Sequence, residues 1–201
     1  RGPLLLLPGS RPGELRRHLP LMEKVAARLQ GYPAISHFVI PTLSSLHGRL
    51  VRETADWPVH VEVMSGEHGR RTALGEALAA LAVSGTVTLE LALAGVPHVL
   101  TYVAEAAQVR IFEKADTRYI GLPNIIAGCD VIPEVLFAKK ADPEKAATAV
   151  KRLLDDPAVR SIQVEAFAGI RALMQKGAPE APLHDPVERI VALAQRAPIS
   201  T

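Results

Sequence analysis

Cysteine is almost missing from this sequence. Cys129 is the one cysteine among 201 residues, which excludes an intramolecular disulfide and an all-cysteine metal site and suits a reducing compartment. Long apolar runs are missing as well. Stretches such as Leu4–Leu7 fall far short of the roughly 18–20 residues that cross a bilayer, so no transmembrane helix is expected. Neither sign of charge prevails: 23 Lys+Arg stand against 21 Asp+Glu, too diffuse a balance for a nucleic-acid surface. The seven histidines form no HExxH or other ligand spacing and no cluster with Cys129, so neither a metal nor another cofactor is expected. Repeats, heptad arrays and low-complexity tracts are absent too. The sequence opens without an initiator Met, and no charged n-region followed by a cleavage site is read in it. Arg1-Gly2 runs straight into Leu4–Leu7, which reads as a start inside a longer protein.

What is present is a folded α/β pattern, with 48% hydrophobic residues, enough for a substantial core. Short apolar runs at Leu4–Leu7, Ser36–Ile40, Val59–Met64, Ala80–Val83 and Val96–Tyr102 read as strands. Most are continuously apolar rather than alternating, as in parallel strands covered on both faces. Between them the helical period predicts helices over Gly13–Gln30, Leu43–Thr54, Glu67–Leu78 and Thr86–Ala94, the last stopped by Gly95-Val96-Pro97. Beyond Ala104, helices are expected at Glu105–Asp116, Asp142–Asp155 and Ala158–Gln175, with a loop at Leu122–Gly128. A Pro- and Gly-containing linker at Gly177–Pro186 precedes a last helix near Val187–Arg196. The fold expected is therefore a Rossmann-like parallel sheet with helices on both faces over residues 1–175, and a helical C-terminal extension over 176–201.

Three motifs can carry chemistry. In Leu4-Leu5-Leu6-Leu7-Pro8-Gly9-Ser10-Arg11 a buried strand ends in a small-residue turn before a helix. Such a turn offers backbone N–H groups and a helix dipole to an anion. Gly9 would permit close approach of the backbone in this Gly9-Ser10-Arg11 turn, and Arg11 adds a bidentate phosphate donor; an ordinary βα turn with a solvated arginine fits equally. In Val83-Ser84-Gly85-Thr86-Val87-Thr88-Leu89-Glu90 the same design recurs. Ser84, Gly85 and Thr86 would form a second phosphate cradle, and Glu90 would accept from a ribose diol. Alternatively, Ser84 or Thr86 caps the helix and Glu90 complements its dipole. The third motif, Leu122-Pro123-Asn124-Ile125-Ile126-Ala127-Gly128, is an apolar loop with one amide side chain. Asn124 either reaches a ligand or bonds its own backbone in a surface turn. Neither Ser10 nor Ser84 sits in G-x-S-x-G, so neither reads as a hydrolytic nucleophile. His98 reads as a satisfied histidine close to the core, and Cys129 as a buried small residue.

In this order and separation the motifs resemble the lipid-A-disaccharide synthases, inverting glycosyltransferases of the GT-B fold. The segments that carry the likeness are LLPGSR, VSGTVTLELALAGVP, Tyr102, LPNIIAG, and VIPEVLF followed by DPEKAATAVKRLLDD, covering roughly residues 4–175. The resemblance implies a two-domain enzyme that transfers 2,3-diacylglucosamine from its UDP derivative to 2,3-diacylglucosamine 1-phosphate and releases UDP. It implies that this chain is the C-terminal, nucleotide-holding half and that the general base belongs to the chain's own N-terminal domain. Gly9, Ser10 and Arg11 would then face the diphosphate or the cleft, Ser84, Gly85 and Thr86 the phosphates, Glu90 the ribose, and Asn124 the sugar-nucleotide pocket. It further implies a protein peripheral on the cytoplasmic face of the bacterial inner membrane, and a homodimer exchanging C-terminal helices. Two positions depart from the family pattern: Val103 follows the strand-end Tyr102 where arginine is usual, and Cys129 stands where the family commonly reads AGR. Two other functions remain open: another UDP-sugar enzyme of the same architecture, and a non-catalytic nucleotide-binding or oligomerisation module.

Overall fold

The computed structural model describes residues 1–105, 107–110, 118–138, 140–175, 187, 188, 190 and 191. Six parallel strands form one sheet in the order β3-β2-β1-β4-β5-β6. They are β1 (Gly2–Leu7), β2 (Ile35–Thr42), β3 (Val61–Ser65), β4 (Ala79–Val83), β5 (His98–Val103) and β6 (Glu134–Phe137). The helices are α1 (Pro12–Leu29), α2 (Ser44–Thr54), α3 (Gly66–Glu76), α4 (Thr86–Leu93), α5 (Leu122–Ala127), α6 (Pro143–Asp155) and α7 (Pro157–Met174).

The uninterrupted apolar character of β1 follows from its central place. Leu4 and Leu6 face one core with α1, Leu50 of α2 and Val150 of α6, while Leu5 and Leu7 face the other with Ala73 of α3 and Leu91 of α4. Strand side chains alternate between faces, so a strand roofed on both sides must be apolar at every position. Each of these leucines contributes about 2 kcal/mol of burial. The third core joins Leu100 and Ile132 to Phe167 and Ile170 of α7.

The chain builds β1, β2 and β3 outward on one side, then returns past β1 to lay down β4. The order therefore reverses between β1 and β4, the crevice at which doubly wound sheets take ligands, at the carboxyl ends of the strands. Both glycine turns noted in the sequence leave the sheet at this crevice.

The structure corrects three expectations. Leu122–Ala127 is a helix rather than a loop, with Pro123 in its first turn and Gly128 as a left-handed C-cap at φ 68°. A sixth strand, Glu134–Phe137, extends the sheet past β5. Cys129 is exposed rather than buried. Of the expected helix at Glu105–Asp116, Glu105 is described and is not helical, 107–110 are helical, and the rest lies outside the described residues, as do the linker and much of the last helix.

His98 opens β5 fully buried and stacked on Phe167, 5.3 Å between ring centroids. Its Nδ1 lies 2.8 Å from the Val96 carbonyl and so carries the proton, while Nε2 has no partner among the described residues. The expected satisfaction is thus only half met. Burial pushes the imidazole down to about 4 from 6.5, against the opposing effect of the Val96 carbonyl. Between those values the unfolded chain binds a proton that the folded chain refuses, so stability falls as pH drops from 6.5 to 4. At about 1.4 kcal/mol per unit the loss reaches about 3 kcal/mol. Urea unfolding of wild type and His98→Phe across this range is expected to show the wild type losing that much relative to the variant. Parallel profiles would remove His98 as the source.

Candidate functional site

Gly9, Ser10, Arg11, Ser84, Gly85 and Thr86 line one cleft of about 390 Å³ at the β1/β4 crevice. The two turns inside it are not alike. At the first, Glu14 reaches back from α1: its Oε2 accepts from the backbone N–H groups of Ser10 (3.1 Å) and Arg11 (3.2 Å), and its Oε1 from the Arg11 guanidinium (3.1 Å). The amides read as open to an anion are therefore already met by the protein's own carboxylate. Gly9 is required here, because φ 96° strains any residue with a side chain and an added Cβ would lie 2.8 Å from Glu14 Cβ. The Arg11 side chain is 84% exposed beyond this pair.

The second turn is open. Gly85 adopts φ 145° and ψ −169°, the N-cap of α4 makes no side-chain cap hydrogen bond among the described residues, and a Cβ at Gly85 would meet none of them within 4 Å. Thr86 is exposed at the start of α4, where the helix dipole favours an anion. The Ser84 hydroxyl donates to the Ile120 carbonyl at 3.1 Å, so Ser84 anchors a neighbouring wall rather than capping α4.

Glu90 lies outside this cleft, in an adjoining shallow pocket with Glu67, Arg71 and Gly75. Arg70 of α3 lines both and donates to Glu90 through Nη2. No motif signalled Arg70. It reaches the site because α3 crosses to the face shared with α4, a product of topology rather than of local sequence.

Asn124 is not at the surface of either pocket. It is fully buried, and its amide is spent on the protein. Nδ2 donates to the Ile132 carbonyl (2.9 Å) and Glu134 Oε1 (2.8 Å), and Oδ1 accepts from the Val131 and Ile132 amides (both 2.8 Å). Glu134 also accepts from the Ile120 and Gly121 amides at 3.0 and 2.9 Å. Asn124 and Glu134 thus fix the segment that Ser84 holds. The sequence reading missed Glu134; its signal was one carboxylate inside the apolar run VIPEVLF.

His18 was also missed. Buried in α1, it has Nδ1 2.8 Å from the Glu14 carbonyl, and its Nε2 accepts from the Val103 amide at 3.0 Å. Desolvation lowers its pKa, the nearby Glu14 carbonyl acting in the opposite sense. The neutral imidazole ties the start of α1 to the end of β5. Among the described residues no group of three His, Cys, Asp or Glu is placed to hold a metal, and no helix is long and apolar enough to cross a membrane.

The sheet, its switch-point cleft and its helical flanks define a doubly wound, Rossmann-like domain, the fold class to which the nucleotide-binding halves of GT-B proteins belong. Solved structures agree at the level of fold. WaaG, a glycosyltransferase involved in lipopolysaccharide biosynthesis, matches with a TM-score of 0.60 at 16% identity, over 98% of this chain and 48% of its own. MurG of Acinetobacter baumannii matches with a TM-score of 0.51 at 18% identity, over 97% and 52%.

Within that class, the lipid-A-disaccharide synthetase family profile matches residues 2–182, and the chain belongs to this family. It is 41% identical to the lipid-A-disaccharide synthase of Bradyrhizobium diazoefficiens over 87% of its length and 44% of that protein. With the corresponding protein of Nitrobacter hamburgensis it shares 37% over 92% and 46%. The chain spans about half the length of the curated relatives it matches.

Proposed function

We propose that this chain is the nucleotide-holding half of a lipid-A-disaccharide synthase, over residues 1–175, followed by a linker and terminal helix over 176–201. The whole protein transfers 2,3-diacylglucosamine from its UDP derivative to 2,3-diacylglucosamine 1-phosphate and releases UDP. The observation that carries this reading is the opposition of the Gly9 and Gly85 turns across the β1/β4 crevice.

Breaking the sugar–phosphate bond places negative charge on departing UDP. The open N-terminus of α4 and the cleft's arginines act where that charge develops. Because Glu14 already satisfies the first turn, the diphosphate is assigned chiefly to Ser84, Gly85 and Thr86, with Gly9, Ser10 and Arg11 forming the facing wall. Glu90 serves the ribose diol from the adjoining pocket. Asn124 serves the same site from beneath, by holding its wall. The base that deprotonates the acceptor hydroxyl comes from the N-terminal domain, so this half alone is inactive. Association with the inner face of the bacterial inner membrane and dimerisation through C-terminal helices belong to the same proposal.

The test compares UDP-diacylglucosamine with unacylated UDP-glucosamine as donors for the full-length protein. Turnover is expected with the acylated donor alone. Equal use of the unacylated donor would transfer the protein to another UDP-sugar reaction, and no UDP binding by calorimetry would defeat both readings.

A further inference from the structure

Arg70 stands between two pockets of opposite need. On one side lies the cleft that would hold phosphates, on the other the Glu90 carboxylate. Among the described residues its one hydrogen bond is the Nη2 contact to Glu90, which leaves most of the guanidinium's five donors unused. Both side chains are more than a third exposed, 38% and 36%, and an ion pair at that exposure holds its partner only weakly. A phosphate in the cleft competes well for such a guanidinium, because a planar fork binds phosphate oxygens in bidentate fashion.

Two further features raise the demand for this cation. The Ser10 and Arg11 amides are taken by Glu14, so the facing turn offers a phosphate few free backbone donors. Arg11 is itself paired with Glu14. Arg70 is the cation of the cleft whose present partner is also a ligand-binding candidate.

The geometry points to Arg70 as a ligand-driven switch: it holds the Glu90 carboxylate in the free protein and transfers to the phosphates of a bound nucleoside diphosphate, freeing Glu90 for the ribose diol. This rests on the nucleotide site proposed above and adds a residue that selects diphosphates over plain nucleosides. Arg70 is a positioning residue for Glu90 in one state and a ligand contact in the other. No covalent step is involved.

The experiment measures binding of UDP, by calorimetry, and of uridine, by NMR titration, to the full-length protein and its Arg70→Gln and Glu90→Gln variants. Arg70→Gln is expected to weaken UDP about tenfold or more, the worth of one strong phosphate contact. Uridine is expected to stay within about threefold or bind more tightly, since Glu90 is no longer engaged. Glu90→Gln is expected to weaken both ligands alike. Equal losses of UDP and uridine in Arg70→Gln would show an arginine that only props Glu90, and an unchanged UDP affinity would show one that never leaves it; either overturns the switch. A wild type that binds neither ligand defeats the nucleotide site itself, an outcome separate from those two. Both residues are partly exposed, so the variants are expected to fold, and matching thermal unfolding curves would verify it.

Discussion

Asn124→Leu is expected to destabilise the domain by about 4 kcal/mol, the largest single-residue effect on stability anticipated here. Leucine keeps the branched shape of asparagine, though it is bulkier, and can neither donate nor accept. The substitution strands the Val131 and Ile132 amides and the Ile132 carbonyl, and removes one of the three donors that hold Glu134. Each buried group left without a partner costs about 1–3 kcal/mol, and the losses fall in one place. Asn124→Asp is no remedy, because it sets a carboxylate against Glu134 where an N–H had been. Urea unfolding measures the cost, and UDP affinity of the fraction that still folds separates two roles. An affinity within about twofold of wild type is expected if Asn124 acts only beneath the surface. A stable variant that has lost UDP would instead place the amide in contact with ligand.

Gly85→Ala is expected to reverse that pattern, with binding lost and stability largely kept. At φ 145° and ψ −169° Gly85 occupies backbone space essentially restricted to glycine, although a Cβ there would touch none of the described residues within 4 Å. The cost is therefore torsional, about 1–3 kcal/mol, and a turn that relaxes to escape it re-aims the first amides of α4. UDP affinity is expected to fall about a hundredfold or more, equivalent to some 3 kcal/mol, with a modest shift in Tm. An alanine variant that binds UDP within about threefold of wild type would remove the second turn as the phosphate seat.

Much of the fold is legible in the sequence because its central strands are roofed on both faces. Leu4–Leu7 and Ala79–Val83 carry no polar residue to disguise them, and the expected ranges fall inside the observed strands. The sixth strand is harder to read. It is four residues long, begins with Glu134 and follows Pro133, and its carboxylate is spent on Ile120, Gly121 and Asn124. Helix α5 hides behind Pro123 and Asn124, both common loop formers, although proline suits a first helical turn and Gly128 marks the end.

The candidate site divides in the same way. Its two glycine turns are legible because strand, turn and helix are contiguous. The closing of the first by Glu14 is masked because Arg11, not a serine or threonine, stands at the N-cap, so the usual capping signature is missing. Arg70 and Glu90 meet across twenty residues only because β4 returns to the centre of the sheet.

That return also sets an order of assembly. β1 gains its first neighbour at Ile35 but its second only at Ala79, so during synthesis one edge of Leu4–Leu7 stays unpaired while some forty further residues emerge. An apolar strand with an open edge is a template for pairing with other chains. Changes that slow the pairing of Ala79–Val83 with β1 are therefore expected to show first as aggregation during expression.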